Sequence, residues 1–277
     1  MALGVLVVIP YLRTIIMRQQ KPLRSEMGWS TPDKITVRGR DLCNDLLGKI
    51  DLGGMAWLEL TGRMPTPQEA AVFNALLVTL VEHGMTPHAI ATRMVQVCAP
   101  EAMQAAVAAG LCAVGSVFAG GSEMVARTQQ RALKDAPADA DIAALAEKIV
   151  EDHVSRKVPV SGIGHPLHKP IDPRTPVLFA IAEKNGFRGR YCALQEAISV
   201  AAEKRLNRVL PVNAPGAIGA LMCELGFPWQ ICRGIAVIGR CVGLVGHVAE
   251  EMRNPMALEI YDRVNDEVLE SALQAQR

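Results

Sequence analysis

From Phe73 onward, apolar residues recur at Leu76, Leu77, Leu80 and Val81, the i, i+3, i+4, i+7, i+8 spacing of a single helical face. No β-strand has that period, so an amphipathic helix is predicted from Pro67 to a stop at Gly84. Leu42, Leu46 and Leu47 repeat the spacing, as do Ile142, Leu145, Ile149 and Val150, with Asp139 or Asp141 placed to cap that helix. Further helices are predicted at Pro87–Val97, Pro100–Val114, Pro176–Lys184, Ala193–Leu206, Gly216–Leu225 and Trp229–Met252. Nowhere does apolar/polar alternation last long enough to build a sheet. The segment Glu26–Arg40, with Gly28, Pro32 and Gly39, reads as an irregular arm. The expected fold class is all-α.

Composition agrees. Hydrophobic residues make up 50% of the 277 positions, which excludes a disordered chain, whereas aromatics make up only 4%. Helices packed through small side chains suit that balance better than a β-sandwich. Lys+Arg total 29 against 28 for Asp+Glu, so no global field draws nucleic acid or an anionic membrane. An anionic ligand therefore needs a local cluster of cations. The seven cysteines form no CxxC pair, which argues against a zinc or redox motif and suits reduced, buried thiols in a cytoplasmic protein. The apolar run Met1–Ile9 is too short to span a bilayer and no cationic segment precedes it, so residues 1–25 are expected to be an extension.

The least regular stretch runs from Val158 to Pro173, and the segment Val160 to Arg174 holds the densest chemistry. Gly162 and Gly164 are expected to let the backbone approach a ligand, and Pro159, Pro166, Pro170 and Pro173 to stiffen the loop. Among them stand His165, His168, Lys169, Asp172 and Arg174, of which Lys169 and Arg174 suit phosphate or carboxylate. Outside this loop, His88 and His153 are expected at the surface or at helix ends. His247 is left between the site and a subunit interface.

Gly162-Ile-Gly-His165 followed by Asp172-Pro-Arg174 resembles the GxGHxxxxxxDPR signature of citrate synthases. The form Gly-Ile-Gly-His is most similar to citryl-CoA lyases and the citrate-cleaving module of ATP citrate lyase. Val37-Arg-Gly-Arg-Asp-Leu42, Leu60-Thr-Gly-Arg-Met-Pro65, Glu82-His83-Gly84, Ile238-Gly-Arg240 and Gly246-His247 extend the resemblance from about Val37 to Glu251. It implies a two-domain helical homodimer, with residues 26–117 and 221–277 in a large domain and 118–220 in a small one. It further implies binding of an acyl-CoA and a small di- or tricarboxylate, with no tightly bound cofactor, no metal, and coenzyme A only as part of the substrate. His165 would bond the oxygen of the reacting centre as the catalytic group. His83, Arg174 and Arg240 would hold the carboxylate substrate, and Gly162, Ile163, Gly164 and Lys169 would take the CoA.

Two positions depart from the family. Phe118 stands where citrate synthases carry a histidine, a change shared with citrate-cleaving relatives. Asn213-Ala214-Pro215-Gly216 places Pro215 where the family's catalytic aspartate belongs, leaving Asp172 and Glu123 as candidates to replace it. Three readings follow: cleavage of a citryl-CoA-type thioester, the reverse condensation, or a non-catalytic paralogue that binds CoA or carboxylate.

Overall fold

The computed structural model describes residues 23–165 and 167–276, so the expected extension falls almost wholly outside the described residues. The chain forms two compact units that meet in sequence between Arg63 and Met64. In the first, β1 (Gly28–Ser30), β2 (Ile35–Val37) and β3 (Arg40–Asp41) make a small antiparallel sheet in that order, with Trp29 opposite Thr36. This corrects the expectation of an irregular arm. Strands of two or three residues are too short for their alternation to register, and left-handed Arg38 and Gly39 make the tight turn between β2 and β3. A π-helical turn at Leu42–Leu46 and α1 (Leu52–Thr61) complete the unit. Asp51 caps α1 by accepting from the Gly54 amide at 2.6 Å.

The second unit is helical: α2 (Pro67–Val81), α3 (Pro87–Cys98), α4 (Met103–Cys112), α5 (Gly121–Leu133), α6 (Ile142–Ser155), α7 (Arg174–Lys184), α8 (Arg190–Leu206), α9 (Ala214–Glu224), α10 (Cys232–Arg253) and α11 (Ala257–Ala275). Thr66 and Glu69 form a reciprocal capping box ahead of Pro67, and Asp141 caps α6. Leu133, Ala146, Val150, Leu194, Ile198, Ala202 and Leu210 fill one core between α5, α6 and α8. Ala106, Val107, Leu244 and Val248 fill another between α4 and α10.

Small residues let the backbones close in. A β-carbon on Gly243 would stand 1.9 Å from the Val81 carbonyl oxygen, and one on Gly239 would stand 2.8 Å from that of Leu77. That contact presses α10 against the end of α2, next to Glu82 and His83. Among the described residues, Trp229–Arg253 is the one helical stretch long and apolar enough to cross a membrane, and half of its apolar window is buried inside the protein.

Candidate active site

The glycine loop is stitched to the segment leading into α9. Gly164 donates its amide to Pro211 O at 2.7 Å, Asn213 donates to Gly162 O at 3.1 Å, and the Asn213 side-chain amide donates to Gly164 O at 2.6 Å. Gln195 Nε2 adds a bond to Gly162 O at 3.1 Å. Gly162 has φ +84°, and a β-carbon there would meet Val125, Gln195 and the Gly216 backbone at 2.6–2.9 Å. Its need for glycine is therefore internal packing, not the ligand access read from the sequence. Ile163 and Gly164, by contrast, line a cleft of about 460 Å³ with His165, Lys169, Arg208, Val209, Leu210 and Pro211. Arg208 was missed in the sequence because nothing in its spacing links it to Lys169, some forty residues earlier.

Asp172 is 0% exposed and accepts four hydrogen bonds. They come from Arg174 Nε (2.9 Å), Arg174 Nη2 (2.8 Å), the Arg174 amide (3.1 Å) and the Ala214 amide (2.9 Å). Burial alone would raise its pKa. The Arg174 side chain and the two amides outweigh burial and hold it at about 2. So saturated a carboxylate has no lone pair positioned for a proton in flight, and Asp172 is corrected from candidate base to the group that aims Arg174. Glu123 is also occupied, with Oε2 2.6 Å from Arg233 Nε. Pro215 lies in the first turn of α9 and packs against Gly121, while Phe118 is exposed.

Three histidines converge. The His165 and His168 rings stack at 4.4 Å, and His83 lies 5.8 Å from the first and 5.6 Å from the second. One ring nitrogen from each lies within 4.8 Å of the other two. His165 Nδ1 accepts the backbone amides of Leu167 (3.1 Å) and His168 (3.0 Å). That fixes the tautomer: Nδ1 offers its lone pair, so Nε2 carries the hydrogen. Burial lowers the pKa of His165, reinforced by His168, Arg174 and His83 against the opposing Asp172, which keeps the ring neutral. A neutral Nε2–H donor has no lone pair for a metal, so the trio's spacing alone does not make a metal site.

His83 is held from below. Glu82 Oε1 accepts the amides of His83 (2.8 Å) and Gly84 (2.6 Å), and Glu82 Oε2 stands 3.0 Å from His247 Nε2. His247 Nδ1 in turn accepts from buried Arg93 Nε at 3.0 Å, and Arg93 also pairs with Glu250 and Glu251. His247 thus belongs to a buried chain that positions the His83 turn. Arg240 is only 6% exposed, and its Nη1 has no hydrogen-bond partner among the described residues. Burial pushes its pKa down, opposed by Glu82. His88 lies at a helix end, in the first turn of α3, but is 3% exposed and not at the surface, and neither ring nitrogen is bonded among the described residues. Burial and then Arg240 lower its pKa. His153 donates its Nδ1–H to Ile149 O (2.8 Å), a contact within the last turn of its own helix.

The thiols divide. Cys192, Cys223 and Cys232 are buried as expected, whereas Cys43, Cys98 and Cys112 are exposed and Cys241 is intermediate. Burial pushes Cys192 and Cys232 up to about 12 and Cys223 higher still, which leaves them without thiolate character at neutral pH.

The citrate synthase C-terminal domain family matches residues 41–260. Among solved structures, the citryl-CoA lyase of Hydrogenobacter thermophilus is similar at 31% identity with a TM-score of 0.75, covering 84% of this chain and 88% of that one. ATP citrate lyase from Methanothrix soehngenii, in complex with citrate and coenzyme A, shares the fold at 21% identity and a TM-score of 0.70, over 87% of this chain and 41% of that one. A citrate synthase of Heyndrickxia coagulans is 25% identical over 197 residues, 70% of this chain and 51% of the relative. The chain thus spans about half the length of the curated citrate synthases it matches.

Proposed function

Since the chain belongs to the citrate synthase family, we propose that it cleaves a 3-hydroxyacyl-CoA of the citryl-CoA type into an acyl-CoA and a keto acid. The observation that carries the reading is the fixed tautomer of His165, whose neutral ring keeps one N–H donor and stands beside two other histidines. Retro-aldol cleavage turns a tertiary hydroxyl into a ketone, and a donor that bonds the same oxygen throughout stabilises charge as it develops there. Arg240 supports the reading: a buried cation with an unpartnered Nη1 is costly until an anion meets it, and a substrate carboxylate supplies one. Arg174, aimed by Asp172, and His83 complete the carboxylate clamp. The CoA phosphates fall to Lys169 and Arg208 at the cleft beside Ile163 and Gly164. We extend the proposal to the large and small domains and the homodimer implied by the sequence.

The test is product analysis with citryl-CoA as substrate. His165→Ala is expected to lower turnover by about 10²–10⁴-fold with CoA binding retained. Wild-type turnover that survives in this variant would sink the reading. Pro215 favours a second reading, a paralogue that binds CoA or carboxylate without turnover. Calorimetric CoA binding by a wild type inert toward all 3-hydroxyacyl-CoA thioesters would select it.

A further inference from the structure

We propose that His168 is the acid–base residue of this site, taking the hydroxyl proton and returning it to carbon. The assignment rests on the cleavage reading above and deepens it. Breaking a tertiary alcohol at its C–C bond needs a group that removes the hydroxyl proton. The titratable groups near His165 are few, and most are committed. Asp172 spends its oxygens on four hydrogen bonds, and Glu123 is paired with Arg233. His165 has its acceptor nitrogen occupied by two amides and its donor fixed. His83 stands just past α2, where it lowers the pKa of His88 together with Arg240, and the proposed function gives it to the carboxylate. His168 remains. Its ring makes no hydrogen bond among the described residues, yet it stacks 4.4 Å from His165.

The geometry permits a shared oxygen. Three atoms no more than 4.8 Å apart all lie within about 2.8 Å of a common point, which is hydrogen-bond distance. In the proposed complex an oxygen between the rings receives the His165 Nε2–H while the free nitrogen of His168 accepts its proton. The C2–C3 bond then breaks, and its electron pair passes to the thioester as an enolate. C3–O becomes the ketone, still bonded by His165. The imidazolium of His168 gives its proton to C2, which yields the acyl-CoA and restores neutral imidazole. No oxidant, reductant or metal enters the balance. Imidazole is the side chain suited to take and return a proton at neutral pH.

The backbone amide of His168, not its ring, bonds His165 Nδ1, so side-chain substitutions leave that contact in place. Steady-state cleavage of citryl-CoA by wild type, His168→Ala, His168→Gln and His83→Gln provides the test, with CoA affinity measured by calorimetry. Both His168 variants are expected to lose about 10²–10⁴-fold in kcat with KM and CoA affinity within about threefold of wild type. His168→Gln turning over within about fivefold of wild type would show a space-filling role and overturn the assignment. So would a loss of kcat without a rise in KM that appears in His83→Gln and not at His168, or a wild-type activity that requires an added divalent cation. A wild type inert toward every 3-hydroxyacyl-CoA removes both this assignment and the cleavage reading; an active wild type with active His168 variants removes this one alone.

Discussion

The two walls of the site treat charge in opposite ways. On the loop wall, Asp172 is saturated by the Arg174 side chain and two backbone amides, so that pair is fixed in place before any ligand arrives. On the wall made by α2, α3 and α10, Arg240 and His88 are buried with nitrogens that bond nothing among the described residues. A charge-assisted network holds its own shape, whereas a buried unpaired cation stores free energy that an arriving anion releases. The loop wall is thus a scaffold, and the opposite wall is the part whose stability ligand binding completes.

Substitution breaks the comparison most sharply. Asp172→Ala strands the Arg174 guanidinium and the Ala214 amide, and is expected to cost about 3–5 kcal/mol in urea unfolding. Arg240→Leu removes a buried cation with an unpartnered nitrogen, so ligand-free stability should stay within about 1 kcal/mol of wild type or rise. Its cost should appear instead in binding, as a roughly tenfold or greater increase in Kd for a dicarboxylate. If Arg240→Leu unfolds as readily as Asp172→Ala, the two walls are alike and the distinction fails.

The same contrast explains what the sequence revealed. Helices with a one-sided apolar stripe were legible: α2 and α3 begin at Pro67 and Pro87 as the pattern predicts, and α6 begins at Ile142 behind the cap Asp141. No helix is predicted beyond Met252, although Ile260, Tyr261, Val264 and Val268 in α11 lie at helical spacing on a face left largely exposed. Site residues that are neighbours along the chain, such as His165, Lys169 and Arg174, could be grouped by sight. Arg208, His88 and the Arg93–His247–Glu82 chain could not, because tertiary packing of distant helices brings them together. Gly162 was legible as a glycine but not for its reason, since the Gly216 backbone that excludes its side chain lies more than fifty residues away.

Acid unfolding sharpens the comparison on a smaller scale. Asp172 has a folded pKa of about 2, below the ordinary carboxylate value of 3.8. Its contribution is therefore fully present above pH 3.8 and is lost as pH falls from there through 2, on the order of 2 kcal/mol in total. Asp172→Asn should flatten that limb of the stability–pH curve. His88 acts at a higher pH: its lowered pKa keeps it neutral when folded, so stability falls as pH drops below 6.5, where the unfolded ring takes up a proton first. His88→Gln should shrink the higher step, which His165 shares through its own lowered pKa, and leave the lower one. A single step unmoved by either change would place the acid sensitivity in other carboxylates.

The smallest effect belongs to the exposed charges, which fit neither wall. Lys169 is solvent-exposed beside the cleft that it lines with Arg208. An exposed contact between a lysine and a phosphate is worth about 0.2–1 kcal/mol, so Lys169→Ala should weaken CoA binding only about two- to fivefold. Salt then decides whether the contact exists. At about 0.01 M ionic strength the screening length is about 30 Å and the lysine acts at full reach; near 1 M it is about 3 Å and only direct contact counts. The affinity ratio of wild type to Lys169→Ala should therefore shrink toward one as salt rises, whereas the ratio for Arg240→Leu, measured with a dicarboxylate, should hold because that cation is buried. Calorimetry across the salt series checks both ratios. A Lys169 ratio of one already at low salt would remove the phosphates from this cleft, and an Arg240 ratio that collapses with salt would show that its charge is not buried in the ligand-free protein.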